Sequence, residues 1–428
     1  VTLGLALLLA SFTVLVALDA PIAVALGLAS VVYLLVSDLA PLIVVAQRVI
    51  AGIDSFTLLA IPLFLLAGLL LLHGDLTPRI IRLCSALVGR ARGGLAIVMV
   101  MGCMLFGALS GSGVADVVAI GTMMLPAMKE RGYDTGFSCS LLGCAGSLGT
   151  VIPPSIVLIV YGTATNTSIG ALFVAAIVPG ILAGLGLMIV AYVIARRNDW
   201  RGGEAFNWGE LWLALKDSAL ALLGPVIIIG GIRGGIFTAT EAAGIGVLYA
   251  LIVGGLIYRK LTVPLVWNLV KQTAESSASI LFVIACASIF GWILAAEQVP
   301  QLIVNAISSA TSSATVALLM MMAVLLVLGT FMETIAIILI LAPVFIPILR
   351  TYQIDPVFFG VLLTVNLAIG ANTPPLGIDL MAACRVGGIP MSASFRYLLP
   401  FIGSMVAVLL LMVLFPEIVL GPARLFGH

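Results

Sequence analysis

The feature that most constrains this chain is that it repeats itself. Leu125-Pro126-Ala127-Met128 is answered by Ile346-Pro347-Ile348-Leu349, and Gly149-Thr150-Val151-Ile152-Pro153-Pro154 by Gly370-Ala371-Asn372-Thr373-Pro374-Pro375. The offset is constant (347 − 126 = 221; 374 − 153 = 221), and it also relates Asp134 to Asp355 and Asp54 to Glu275. Chance likeness between apolar segments does not place Gly-x-x-x-Pro-Pro twice in register. Any fold for this chain has to be built from two copies of one unit.

Composition says where that unit lives. Of 428 residues, 62% are hydrophobic and 9% charged, against about 25% charged in a soluble domain. Apolar runs at 3–18, 22–36, 57–72, 171–195 and 401–415 approach the roughly 20 residues that span a bilayer. A net charge of +1 suggests no nucleic-acid partner. The six cysteines lie mostly in apolar runs without metal-ligand or paired spacing and read as small core residues. With only His73 and His428, and no paired catalytic aspartates, neither a histidine metal site nor an intramembrane enzyme is expected, and no organic cofactor. Residues 1–18 lack a basic start and a small-residue cleavage site, so they read as a first span rather than a signal peptide.

The expected class is an all-α membrane protein of two repeats, 1–195 and 218–428, joined by a polar linker at 196–217. The first repeat divides into outer spans 1–53, a third span 54–73, a broken apolar hairpin 96–128, a broken helix 136–163 and a last span 168–195. The second divides into 218–274, 275–296, 315–349, 356–385 and 393–418. Trp200, Trp208 and Trp212 with Leu211, Leu213 and Leu215 make the linker an amphipathic helix at the headgroups, or else a plain solvated loop.

Lysine and arginine mark the cytoplasmic side. Arg79, Arg82, Arg90 and Arg92 sit in a loop whose counterpart at 297–315 carries no basic residue, and Lys129, Arg131, Arg196, Arg197, Arg201, Arg259 and Lys260 mark further loops on the same side. Equivalent loops therefore face opposite sides, and the second repeat is inverted, with both termini periplasmic. Each stretch of about 33 residues at 96–128 and 315–349 then enters and leaves on one side, as a re-entrant hairpin. A single long tilted span is the alternative.

Non-helical backbone is tolerated in hydrocarbon only inside protein or along a wet cavity. Four breaks occur, in two symmetric pairs: 110–116, 149–155, 329–334 and 370–375. Inverted repeats with broken helices characterise secondary transporters, whose unwound carbonyls coordinate sodium and whose half-helix N-termini face anions. Candidate sodium ligands are Ser110, Gly111, Ser112, Gly149, Thr150 and Pro153 in one nest, and Gly329, Thr330, Glu333, Gly370, Asn372 and Thr373 in the other. Two or more sodium ions are expected. An organic anion would lie between the nests, near Ser112, Gly113, Val114, Thr150, Met332, Asn372 and Thr373. Pro154, Pro374 and Pro375 support the breaks. An intramembrane charge is a functional hypothesis by default. Asp116 reads as a cap or supporting residue, and Glu333 as a direct or supporting cation ligand. Asp54 and Glu275, each followed by serine, look like N-caps. Arg233 and Glu241 flank a turn as a structural pair.

These breaks also carry a family likeness. Ser110-Gly111-Ser112-x-x-Ala115-Asp116, Ile152-Pro153-Pro154-Ser155, Asp54-Ser55-Phe56 with Ile61-Pro62-Leu63-Phe64, Gly231-x-Arg233-x-Gly235, and Thr373-Pro374-Pro375-x-Gly377 together resemble the large membrane subunit of tripartite ATP-independent periplasmic (TRAP) transporters. The likeness spans nearly the whole chain. One turn departs from it, reading Thr238-Ala239-Thr240-Glu241-Ala242 where the family usually has proline second.

The resemblance implies a sodium-coupled, elevator-type transporter of the bacterial inner membrane, related in fold to sodium–dicarboxylate transporters. A transport domain of hairpins and broken helices would slide against a scaffold. It also implies a small four-helix membrane subunit as a separate chain, and a periplasmic substrate-binding protein that delivers a carboxylate. A self-sufficient sodium–dicarboxylate symporter and an ion channel are the competing readings.

Overall fold

The computed structural model describes residues 3–37, 39–88, 91–200 and 206–425. Arg90, Arg201, His428 and part of the linker lie outside them. Among the described residues there are twenty α-helices and no strand. The first repeat supplies α1 (Leu3–Ala17), α2 (Ile22–Val36), α3 (Ile43–Ile53), α4 (Ala60–His73), α5 (Leu76–Val88), α6 (Gly94–Ser110), α7 (Gly113–Glu130), α8 (Thr135–Gly146), α9 (Ile156–Thr165) and α10 (Ile169–Arg197). The second supplies α11 (Trp208–Arg233), α12 (Ala239–Leu251), α13 (Val263–Ala296), α14 (Val299–Ala310), α15 (Ala314–Gly329), α16 (Thr334–Thr351), α17 (Pro356–Gly370), α18 (Ile378–Gly387), α19 (Phe395–Leu414) and α20 (Glu417–Leu425).

Seven helices among the described residues are long and apolar enough to cross a membrane, and most shorter ones are equally apolar. Large aliphatic side chains point outward along them: Leu35, Ile189, Val226, Val263 and Leu399 are all more than 60% exposed. In water such a surface would be an aggregation liability. In lipid it is the ordinary exterior.

Helices α1–α3 pack with α13, and α4 with α12 and α13, to make an outer frame. A separate apolar cluster holds α1, α2 and α13 together through Leu8, Leu26, Tyr33, Phe290 and Ile293. Helices α6–α8 and α17–α19 pack into the centre. Helices α8 and α17 occupy the innermost positions: every residue from Gly136 to Gly146 and from Phe358 to Gly370 is buried. They also start alike. Asp134 accepts the amide of Phe137 at 3.1 Å, and Asp355 those of Val357 at 2.7 Å and Phe358 at 3.1 Å. The recurrence of aspartate at these two positions is thus the recurrence of an N-cap.

The same reasoning fails for the other acidic pair. Asp54 follows the last turn of α3 with φ −79° and ψ 70°, and the serine after it starts a short 3-10 turn, Phe56–Leu59, without a side-chain cap. Glu275 lies in mid-helix, because α13 runs unbroken for 34 residues. Between Pro264 and Glu297 this helix meets a single Gly291 and no further proline, so nothing stops it. Neither residue is an N-cap. The linker boundary also moves. Trp208–Asp217 belongs to α11, and Trp200 turns inward to stack on Tyr133 at 5.1 Å and Phe137 at 4.8 Å. Glu241 is committed to a capping box, its carboxylate 2.8 Å from the Thr238 amide and 2.9 Å from the Thr238 hydroxyl.

Candidate substrate and ion site

Four chain interruptions meet at the centre, as two equivalent pairs. Helix α6 ends at Ser110, Gly111 turns left-handed at φ 65°, Ser112 is extended, and α7 begins at Gly113. Below this tip, α8 gives way to the 3-10 turn Ser147–Thr150, then Pro153-Pro154, then α9. In the second repeat α15 ends at Gly329, Glu333 caps α16, and α17 is separated from α18 by residues 371–377.

Each tip is tied to its break by a backbone hydrogen bond, of one kind in both repeats though not at positions that the 221-residue offset relates. The amide of Ile156, just beyond the first Pro-Pro, donates to the carbonyl of Gly111 at 3.4 Å. The amide of Leu376, just beyond the second, donates to the carbonyl of Thr330 at 3.1 Å. Backbones touch because side chains are missing. A Cβ on Gly107 would stand 2.6 Å from the Cα of Gly149, and one on Gly370 would stand 2.8 Å from the Cα of Gly329. Gly149, Val151, Pro153, Pro154 and Ser155 are buried, so this break lies inside protein and not in bulk solvent. In the second break Asn372 and Gly377 are buried, Thr373 and Pro374 half-buried, and Pro375 exposed.

The polar groups in this core are incompletely paired. Asp116, wholly buried, accepts the Ser110 hydroxyl through Oδ1, and that hydroxyl accepts the Ser112 amide at 3.2 Å. Its Oδ2 has no hydrogen-bond partner and points at Gly149. Asn372 spends its Nδ2 on the Ala368 carbonyl at 3.0 Å, leaving Oδ1 buried and unpartnered. Buried oxygens of this kind carry a desolvation cost unless something meets them. Thr150 and Thr373 turn their hydroxyls back onto Ser147 at 2.7 Å and Ile369 at 2.8 Å. Ser155 donates to the Thr150 carbonyl and accepts the Leu158 amide at 3.3 Å.

Glu333 works as a helix cap, with Oε2 accepting the amides of Ile335 at 3.1 Å and Ala336 at 3.2 Å. Sequence reasoning missed Asp379. This buried carboxylate crosses from the second repeat to the first tip, where a Cβ on Gly113 would lie 2.8 Å from its Oδ2. It stands at the start of α7, whose Ser112 makes no side-chain cap, a position where negative charge is favoured. The signal was available, since Asp379 is an acid amid apolar residues just after Pro374-Pro375. Its 221-residue mate is Leu158, so the repeat did not point to it.

A cavity of about 450 Å³ opens against the first tip. It is lined by Ser110, Ser112 and Val114 on one side and by Gly68 of α4 and Gln272 and Ser276 of α13 on the other. Of the expected substrate residues it gathers Ser112 and Val114. Gly113, Thr150, Met332, Asn372 and Thr373 lie outside its lining. No group of three or more His, Cys, Asp or Glu converges among the described residues. A cation here would be held by hydroxyl, amide and peptide oxygens beside single carboxylates.

An internally duplicated, all-helical chain with broken helices at its buried centre has the architecture of a membrane transporter. The solved structure of the YdaH transporter of Alcanivorax borkumensis matches it in fold, at a TM-score of 0.60 and 16% identity, over 87% of this chain and 88% of that one. The family is settled by sequence. The chain belongs to the tripartite ATP-independent periplasmic transporter family, DctM component, whose model matches residues 9–418.

Its relatives include the C4-dicarboxylate TRAP transporter large permease protein DctM of Pseudomonas aeruginosa, 41% identical over 87% of this chain and 88% of that protein. The sialic acid TRAP transporter large permease protein SiaM of Vibrio cholerae is 37% identical over 95% of each. The isethionate TRAP transporter permease protein DctMQ of Oleidesulfovibrio alaskensis is 40% identical over 95% of this chain, which spans 64% of that longer protein. The chain is a transporter permease rather than an enzyme, and a multi-pass protein of the inner membrane.

Proposed function

We propose that this permease takes up an organic acid by sodium-coupled secondary active transport. The observation that carries the reading is that each hairpin tip is tied to a helix break by a backbone hydrogen bond, Gly111 to Ile156 and Thr330 to Leu376. Each nest sets peptide carbonyls and hydroxyls beside buried oxygen that lacks a partner, Asp116 Oδ2 in one and Asn372 Oδ1 in the other. Sodium is co-transported cargo, taken up by these oxygens before the acid enters. The substrate class is supported by the names of the relatives, which concern dicarboxylate, sialic acid and isethionate.

In this reading α6–α7 and α15–α16 are re-entrant hairpins, one from each side. They move with α8–α9 and α17–α18 as one body against the frame of α1–α4 and α11–α13, in an elevator motion. A periplasmic binding protein delivers the substrate, and a small membrane subunit braces the frame. The family supports both partners.

The test is uptake into proteoliposomes holding the permease, the small subunit and a binding protein, with succinate, isethionate and N-acetylneuraminate as probes. Accumulation of one probe only under an inward sodium gradient is expected. Equal accumulation with potassium in place of sodium contradicts the coupling, and equal accumulation without the binding protein favours the self-sufficient symporter.

A further inference from the structure

Helix α13 borders two cavities rather than one. The first is the chamber already described, where Gln272 and Ser276 face the tip residues Ser110, Ser112 and Val114. The second, of about 330 Å³, lies farther along the same helix at Ser288 and Trp292. Gln272 and Ser288 are about 24 Å apart along the axis at roughly 1.5 Å per residue. Both cavities open on the seam between frame and centre. The walls facing α13 in the second are Thr163 of α9 and Leu339 and Pro343 of α16.

The second cavity has one charge, Arg48 of α3. Its guanidinium carbon lies 5.2 Å from the ring centroid of Trp292. Among the described residues it has no carboxylate partner. Helix α3 is locked against α13 at this level, since a Cβ on Gly52 would stand 2.5 Å from the Ser288 Cβ. Arg48 and Trp292 therefore form a fixed unit on the frame. A guanidinium stacked on an aromatic face keeps its planar fork of donors available to an acid group.

We infer that Arg48, with Trp292 and Ser288, is the frame's receiving point for the acid group of the substrate when the moving body stands at the other end of its stroke. In the present arrangement the first tip faces Gln272 and Ser276. A slide of about 24 Å along α13 sets it opposite Ser288 and Arg48. Arg48 then meets the incoming anion before the tips close on it. This rests on the elevator reading, so the experiment separates the two.

The first arm is cross-linking in membranes with a bifunctional thiol reagent. All six native cysteines are buried, so introduced pairs report. Val114→Cys with Gln272→Cys is expected to link, and Val114→Cys with Ser288→Cys is expected to link as well. Absence of the second link overturns the slide and the inference with it.

The second arm is sodium-driven uptake of the probe that wild type accumulates. Arg48→Gln is expected to raise the KM for binding-protein-delivered substrate about tenfold, with half-saturating sodium unchanged, and Arg48→Lys to restore part of the loss. Both links present with wild-type KM in Arg48→Gln overturns the role of Arg48 while leaving the slide intact. A loss confined to vesicles containing phosphatidylglycerol, and absent in neutral lipid, assigns Arg48 to a lipid phosphate and also overturns it.

Discussion

Oδ2 of Asp116 occupies the space that a side chain at Gly149 would need: a Cβ there would be 1.9 Å from it. The first break and the first hairpin tip are therefore fitted to each other at a single atom. Gly149→Ala has to displace a wholly buried carboxylate held by the Ser110 hydroxyl. A destabilisation on the order of 1–3 kcal/mol is expected, read as a lower midpoint of thermal unfolding in detergent. A wild-type midpoint would mean that the two segments are less tightly joined than described.

Asp379 brings a carboxyl group from the second repeat to the start of α7. Asp379→Asn keeps the shape and removes the charge. Half-saturating sodium for uptake is expected to rise about tenfold, equivalent to roughly 1.4 kcal/mol. The same change at Asp54, which faces neither nest, is the comparison. Equal sodium curves for Asp379→Asn and wild type would remove Asp379 from the site.

Glu333 holds two amides at the start of α16. Replacing it with alanine is expected to cost about 1 kcal/mol of stability, in the range measured for caps. Asn or Asp at the same position should recover most of it, because either can accept the same bonds. Thermal unfolding of the three variants checks this, and an alanine variant as stable as wild type would contradict it.

Arg82 bridges α5 to α11, 2.7 Å from Glu210 and 2.5 Å from Asp217. All three side chains are over 40% exposed, so solvent and salt screen them. Arg82→Ala is expected to lower the unfolding midpoint slightly at low ionic strength and not at all in 1 M salt. A large loss that persists in salt would show that this contact does more than tether a surface.

The two Pro-Pro breaks were legible because proline removes an amide donor wherever it stands, and the common offset marked them as copies of each other. The N-caps at Asp134 and Asp355 recur for the same local reason. Asp54 and Glu275 share that offset without sharing a role. A repeat in sequence does not force a repeat in helix boundaries when one copy has lost its breaker and runs on as α13. Asp379 stood out as an acid in an apolar run, but its partner, like those of Trp200, was beyond reach for another reason. Asp379 meets Gly113, and Trp200 meets Tyr133 and Phe137, only once distant segments are packed. No periodicity within either segment records that.

Uptake of one sodium ion by each of two equivalent nests is the core of the proposed mechanism. It is tested most directly by the sodium dependence of initial uptake rate in wild type, Ser112→Ala and Thr373→Ala. A sigmoidal curve with a Hill coefficient approaching 2, the number of sites, is expected for wild type, with half-saturation shifted upward in both variants. A hyperbolic curve, or one that neither substitution moves, would contradict it.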